Sequence, residues 1–128
     1  MKRISIVLVL LLLFGAASAF AHQPYDSEVG VAVMRANGAA FGALRAAQSN
    51  GDYLAAAGAL SVMAHSSFVL LQYTAPQGSQ EEWERIHSEL IEAALRGIQA
   101  CAEEDADGLA QAISAMGQFN RQGHGQFR

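Results

Sequence analysis

One cysteine, two prolines and a single lysine are all that 128 residues contain of these three types. With Cys101 alone, no internal disulfide can form, and the thiol is expected to pack as a small apolar residue in a helix. Pro24 and Pro76 both fall outside the stretches of helical periodicity, so no proline interrupts a helix. Alternating β-branched runs of the kind a sheet requires are missing. So are a Gly-x-Ser-x-Gly elbow, a phosphate-cradling glycine loop and a His-Glu-x-x-His pair, which leaves no enzyme signature. The acidic run Glu103-Glu104-Asp105 reads as a solvated turn, not a catalytic cluster. Positive charge is scarce and scattered. Beyond Arg3 the basic residues are Arg35, Arg45, Arg85, Arg96, Arg121 and Arg128, against twelve carboxylates. An acidic chain without clustered cations is a poor nucleic-acid binder.

What the chain does have begins with a targeting pattern. Lys2 and Arg3 precede an apolar run from Ile4 to Phe14, and Ala17-Ser18-Ala19 and Ala19-Phe20-Ala21 are overlapping cleavage sites for a signal peptide. Residues 1–21 are therefore expected to be removed, leaving one domain, 22–128, exported to the periplasm. The run is short for a membrane span of about 20 residues. No second apolar stretch of that length is read beyond it, so no stable membrane insertion is expected after cleavage.

Residues 22–128 read as an all-α, antiparallel four-helix bundle, with abundant alanine favouring helix. The first helix is expected over Ser27 to Ser49, with Val31, Met34, Asn37, Phe41 and Leu44 on one face. Asn50-Gly51-Asp52 breaks it. The second runs from Tyr53 to Tyr73 with an inward stripe of Leu60, Met63, Ala64, Ser67, Phe68 and Leu71. Ser79 with Glu82 three positions on forms a capping box for the third, which continues to about Glu104. Its stripe is Trp83, Ile86, His87, Leu90, Ile91, Ala94, Leu95 and Ile98. The fourth starts at Asp105-Ala106-Asp107 and carries Leu109, Ala112, Ile113, Met116, Asn120, Gly123, His124 and Phe127 at helical spacing. Gly38, Gly42, Gly58, Gly97 and Gly117 sit inside these helices at about 1 kcal/mol each relative to alanine, a cost that close helix approach or room for a ligand would explain.

The final segment, Asn120-Arg121-Gln122-Gly123-His124-Gly125-Gln126-Phe127-Arg128, places a histidine shortly before an aromatic and an arginine. It resembles the haem-attachment end of the cytochrome c′ family, with Asn120 and Gly123 standing where the family has its two cysteines. Further segments are similar to the same family: 34–44 to its first helix, Gln77-Gly78-Ser79 to its loop before the third, Glu82-Trp83 to its tryptophan near that helix's start, and 108–128 to its last helix. The resemblance spans the whole of 22–128. It implies a haem-binding, electron-transfer or small-gas-binding protein, with His124 as proximal iron ligand and Val31 as the apolar cover of the opposite iron face. Without the thioether anchors, haem would be held non-covalently. A homodimer through the first two helices, a redox partner and a gas ligand are also implied.

Around that centre, Met34 is open to two readings, a sixth ligand or core packing, with packing favoured. Asn37, Asn120 and Arg121 are candidates for hydrogen bonds to a ligand or a haem propionate, and Arg128 for pairing with a propionate. Trp83 and Phe41 read as core aromatics, and His65 and His87 as ordinary, partly buried histidines. Cleavage after Ala21 would expose His22 as a copper-chelating terminus, the remotest of these readings. The alternative to haem is a haem-free binding or structural protein on the same scaffold, in which Met116, Phe119 and Phe127 fill the vacated pocket.

Overall fold

The structure, a computed structural model, describes residues 22–127; the expected signal peptide and Arg128 lie outside them. Four helices account for most of the described residues: α1 Ser27–Asn50, α2 Tyr53–Leu70, α3 Gln80–Ala102 and α4 Ala106–Phe127. The all-α four-helix bundle expected from periodicity is what forms. Two residues separate α1 from α2 and three separate α3 from α4. Links that short reverse the chain, so the helices run antiparallel.

Each start and stop has a local chemical cause. Asp26 accepts hydrogen bonds from the amides of Glu28 (2.9 Å) and Val29 (3.3 Å), opening α1. Gly51 at φ 66° closes it in the left-handed conformation that a residue with Cβ resists. Asp52 then caps α2 through the Ala55 amide at 2.9 Å, and Asp105 caps α4 through that of Gly108 at 3.0 Å. The capping box of α3 is only half made. Ser79 Oγ accepts from the Glu82 amide at 3.2 Å, but the Glu82 carboxylate turns outward to Arg85, whose Nε and Nη2 donate at 3.0 and 2.9 Å.

The second helix stops three residues earlier than its periodicity suggests, and the backbone just beyond its end is bonded to Gln23 instead of continuing the helix. Gln23 pairs as an isolated parallel bridge with Tyr73. Its amide donates to Gln72 O at 2.8 Å and its carbonyl accepts from the Thr74 amide at 2.8 Å. The segment before α1 is thereby strapped across the α2–α3 turn.

Each helix contacts its neighbour in sequence, and the core runs along those three interfaces. Leu44, Leu60, Ile86 and Met116 are its fully buried large side chains, one from each helix. Gly97 of α3 is where two helices come closest to it: a Cβ there would stand 2.8 Å from Leu60 Cδ1 and 3.2 Å from Ala112 Cβ. At Gly38, Gly42 and Gly58 a Cβ would meet nothing within 4 Å. Close approach therefore explains one of the interior glycines and not these three.

Three stripe assignments shift. On α1 the inward positions are Val33, Ala40, Leu44 and Ala47, so Val31 and Met34 are rotated outward, 46% and 48% exposed. On α2, Phe68 points outward at 57% exposure, and on α3 Leu95 does too. Alanine-rich helices cause the ambiguity: many small apolar residues make several faces look equally inward, and packing selects one. The reading that no second long apolar stretch exists is also corrected. Tyr53–Leu70 is 18 residues long, with a mean hydropathy of 1.5 and no Asp, Glu, Lys or Arg. It is long and apolar enough to cross a membrane, and in this fold it packs as a core helix with Leu54, Val62 and Phe68 left exposed.

Candidate functional site

First and last helices do not close against each other the way consecutive helices do. Between them, backed by α2 and α3, lies a cavity of about 430 Å³. That is within the usual range, about 300–1,000 Å³, for a small-molecule or cofactor pocket. All four helices contribute to its wall, together with Tyr25 and Pro76 from the two strapped loops.

Its wall is built from three kinds of group. Apolar side chains dominate, among them Val33, Leu70, Ile86, Leu90 and Met116. An aromatic set closes one end around Trp83. Its ring packs edge-on against His87, Phe127 and Tyr25 at centroid distances of 4.3, 5.0 and 6.4 Å. The Trp83 indole Nε1–H donates to Leu70 O at 3.2 Å, a carbonyl at the end of α2 that also accepts from the Tyr73 amide at 3.1 Å, and this bond fixes the ring. Tyr25 reaches this cluster because residue 30 has no side chain: a Cβ on Gly30 would collide with the tyrosine hydroxyl. The third kind is polar: Asn37, Ser67, His87, Asn120 and His124. No Asp, Glu, Lys or Arg lines the cavity among the described residues.

Most residues singled out from the sequence meet here. His124, Asn120 and Gly123 of α4 line the cavity with Met34 and Asn37 of α1. Gly123 keeps the wall thin; a Cβ there would touch Ile86 Cγ2 at 3.6 Å. His124 is partly buried on this wall, and among the described residues its imidazole makes no hydrogen bond or ion pair. Met34 is neither packed into the core nor remote from the site: it sits at the rim, half exposed. Met116, Phe119 and Phe127 line the cavity and leave its 430 Å³ open between them.

Others are placed elsewhere. Val31 does not line the cavity. It borders a shallow surface depression with Ser27, Glu28, Ala32 and Arg35, because a step of two residues from Val33 rotates a helical position about 200° to the far side. Val33 takes the inward place that Val31 was expected to hold. Arg121 is exposed and does not line the cavity, and Arg128 is outside the described residues. Phe41 does line it, partly buried, with the Arg45 guanidinium 4.9 Å above its ring. His65 is exposed. The imidazole Nε2 of His22 lies 3.1 Å from Glu84 Oε1 at the surface, and no group of three or more metal-binding side chains forms among the described residues. Cys101 is buried, as expected, and burial pushes its thiol up.

One residue matters more than its sequence context suggested. His87 is 8% exposed, not partly buried, and desolvation lowers its pKa to about 4. The imidazole is therefore neutral at ordinary pH. Its Nδ1 has no hydrogen-bond partner, and neither has the buried Oδ1 of Asn37 on the facing helix α1. Position on the Trp83–Ile86–His87–Leu90 stripe was the available signal for burial. That its ring nitrogen and the Asn37 oxygen would share one cavity required the three-dimensional fold.

No protein-family model, curated protein or solved structure matches this chain.

Proposed function

We propose that the chain is a periplasmic cytochrome c′-like protein whose bundle binds haem non-covalently, with His124 as the proximal iron ligand. The observation that carries this reading is the position of His124. It lies on the wall of a 430 Å³ cavity between α1 and α4, with an imidazole that no other described residue engages. A neutral imidazole is the usual protein ligand for haem iron, and a largely aliphatic and aromatic wall suits a flat apolar macrocycle. Haem bound there supplies electron-transfer or small-gas chemistry.

The chain's own residues have separable tasks in this reading. His124 offers one nitrogen. Val33, Leu70, Ile86 and Leu90 exclude water from the interior. Met34 adds a half-exposed thioether at the rim. With no Asp, Glu, Lys or Arg among the described lining residues, a haem held here would keep its carboxylates in water, since burying an unpaired carboxylate is strongly unfavourable. The exposed apolar side chains Leu54, Val62 and Phe68 of α2 support the homodimer through the first two helices. Sedimentation of wild type and Phe68→Glu tests it, with loss of a dimer in the variant as the expected result.

The haem proposal is tested by titrating hemin into the protein and following the Soret band, beside a pyridine haemochrome assay on protein isolated from its native compartment. A saturable Soret band at one haem per chain, shifted or lost in His124→Ala, is expected. A spectrum indistinguishable between wild type and His124→Ala rejects His124 as ligand, and no saturable band rejects haem.

A further inference from the structure

The wall of the cavity carries an unexplained polar pair. Asn37 of α1 and His87 of α3 both line the cavity, and their Oδ1 and Nδ1 atoms are buried with no hydrogen-bond partner in the protein. Such atoms are rare in folded proteins, because each forfeits its water without recovering a bond. His87 is more than nine-tenths buried and is held edge-on against Trp83. Asn37 is also the polar member of an otherwise apolar stripe. Two residues with such atoms, lining one cavity from two helices, form a recognition element in search of its complement.

The chemistry of that complement follows from the wall. Asn37 Oδ1 is an acceptor only, so its partner must be a donor. A hydroxyl that donates its one proton to Asn37 Oδ1 keeps its oxygen lone pairs to accept from His87 Nδ1–H, the neutral tautomer that this arrangement requires. Trp83, Phe41, Phe119 and Phe127 present aromatic faces and edges to the same space, which favours a planar ring. With no Asp, Glu, Lys or Arg in the described lining, an ionised ligand would be buried without a carboxylate, ammonium or guanidinium counter-charge.

We propose that this cavity is a binding site for an uncharged, hydroxyl-bearing aromatic molecule of about two fused rings, whose hydroxyl bonds to Asn37 and His87. The site needs only the apo cavity and its two unpaired atoms, and so does not depend on haem binding or on His124 as a ligand.

Three probes of matched shape test it: 2-naphthol, 2-methylnaphthalene and 2-naphthoate. Each is titrated into haem-free protein, verified by the absence of a Soret band. Binding is followed through the indole N–H resonance of Trp83, the only tryptophan. The expected order is 2-naphthol about tenfold tighter than 2-methylnaphthalene, the equivalent of about 1.4 kcal/mol for one recovered hydrogen bond. The charged 2-naphthoate should be at least about tenfold weaker than 2-naphthol. In Asn37→Leu the preference for 2-naphthol over 2-methylnaphthalene should shrink to about twofold or less. Replacing an unpaired amide by an isosteric apolar group leaves folding intact or improved, which circular dichroism checks. His87→Phe should shrink the preference too. Equal affinity for the first two probes in wild type overturns the proposal, since the polar atoms would then be satisfied by water. So does a preference that survives both substitutions, tightest binding of 2-naphthoate, or no binding of any probe. Each of these outcomes is independent of the hemin titration.

Discussion

Replacing His87 by phenylalanine isolates the energetic consequence of burying an imidazole beside Trp83. Above pH 6.5 the ring is neutral in both the folded and the unfolded chain and contributes nothing to pH dependence. Below pH 6.5 the unfolded chain takes up a proton that the folded chain refuses until about pH 4. Across that window the unfolded state binds more protons, so stability falls as pH falls, by about 1.4 kcal/mol per unit. Over the interval from 6.5 to about 4 the loss sums to roughly 3 kcal/mol. Below it both states carry the proton and the deficit stays constant. Because the ring is almost fully buried, solvent screening removes little of this. Phenylalanine keeps an aromatic ring against Trp83 and does not titrate. Carboxylates such as Glu82, whose pKa the hydrogen-bonded Arg85 guanidinium lowers, titrate in both proteins and cancel in the comparison. The assay is urea unfolding of wild type and His87→Phe from about pH 7.5 down to about pH 4. Wild type should lose roughly 3 kcal/mol relative to the variant, with the whole change below pH 6.5. A difference that stays flat over this range refutes the reasoning, because the folded protein would then accept the proton as readily as the unfolded chain.

Three further outcomes follow from packing. Gly97→Val places atoms within 2.8 Å of Leu60 and 3.2 Å of Ala112; overpacking of this kind costs about 1–3 kcal/mol, and thermal unfolding should shift down by about 4–8 °C per kcal/mol. Gly58→Ala meets no atom within 4 Å and is exposed on α2, so it should raise stability by up to about 1 kcal/mol through helix propensity; a decrease in urea midpoint would contradict that. Trp83→Phe removes one of two donors to Leu70 O, which keeps the Tyr73 amide at 3.1 Å, and part of the aromatic cluster, so calorimetry should show a loss of about 1–3 kcal/mol from the lost hydrogen bond and lost packing together.

How much of this could be read from the chain differs element by element. Helix starts were legible because each depends on a few neighbouring atoms: Asp52, Ser79 and Asp105 cap where their spacing to the next amides allows. The early end of α2 was not legible, because Gln23, some fifty residues upstream, takes up the backbone of Gln72 and Thr74. The gathering of Met34, Asn37, Asn120, Gly123 and His124 was foreseeable from stripes on the first and last helices. The exclusion of Val31 was not, since in an alanine-rich helix the choice between the faces of Val31 and Val33 is made by what packs against them.

Composition, periodicity and capping, all short-range, determined by themselves that this chain would be four helices joined by tight turns. They also put a histidine on the inner stripe of the last one. Only the tertiary structure decided that α1 and α4 stand apart around an open volume, that Val33 and not Val31 faces it, and that Asn37 and His87 are buried there without partners. Those outcomes depend on how facing side chains from all four helices fill or fail to fill a shared space. No local window of sequence contains that information.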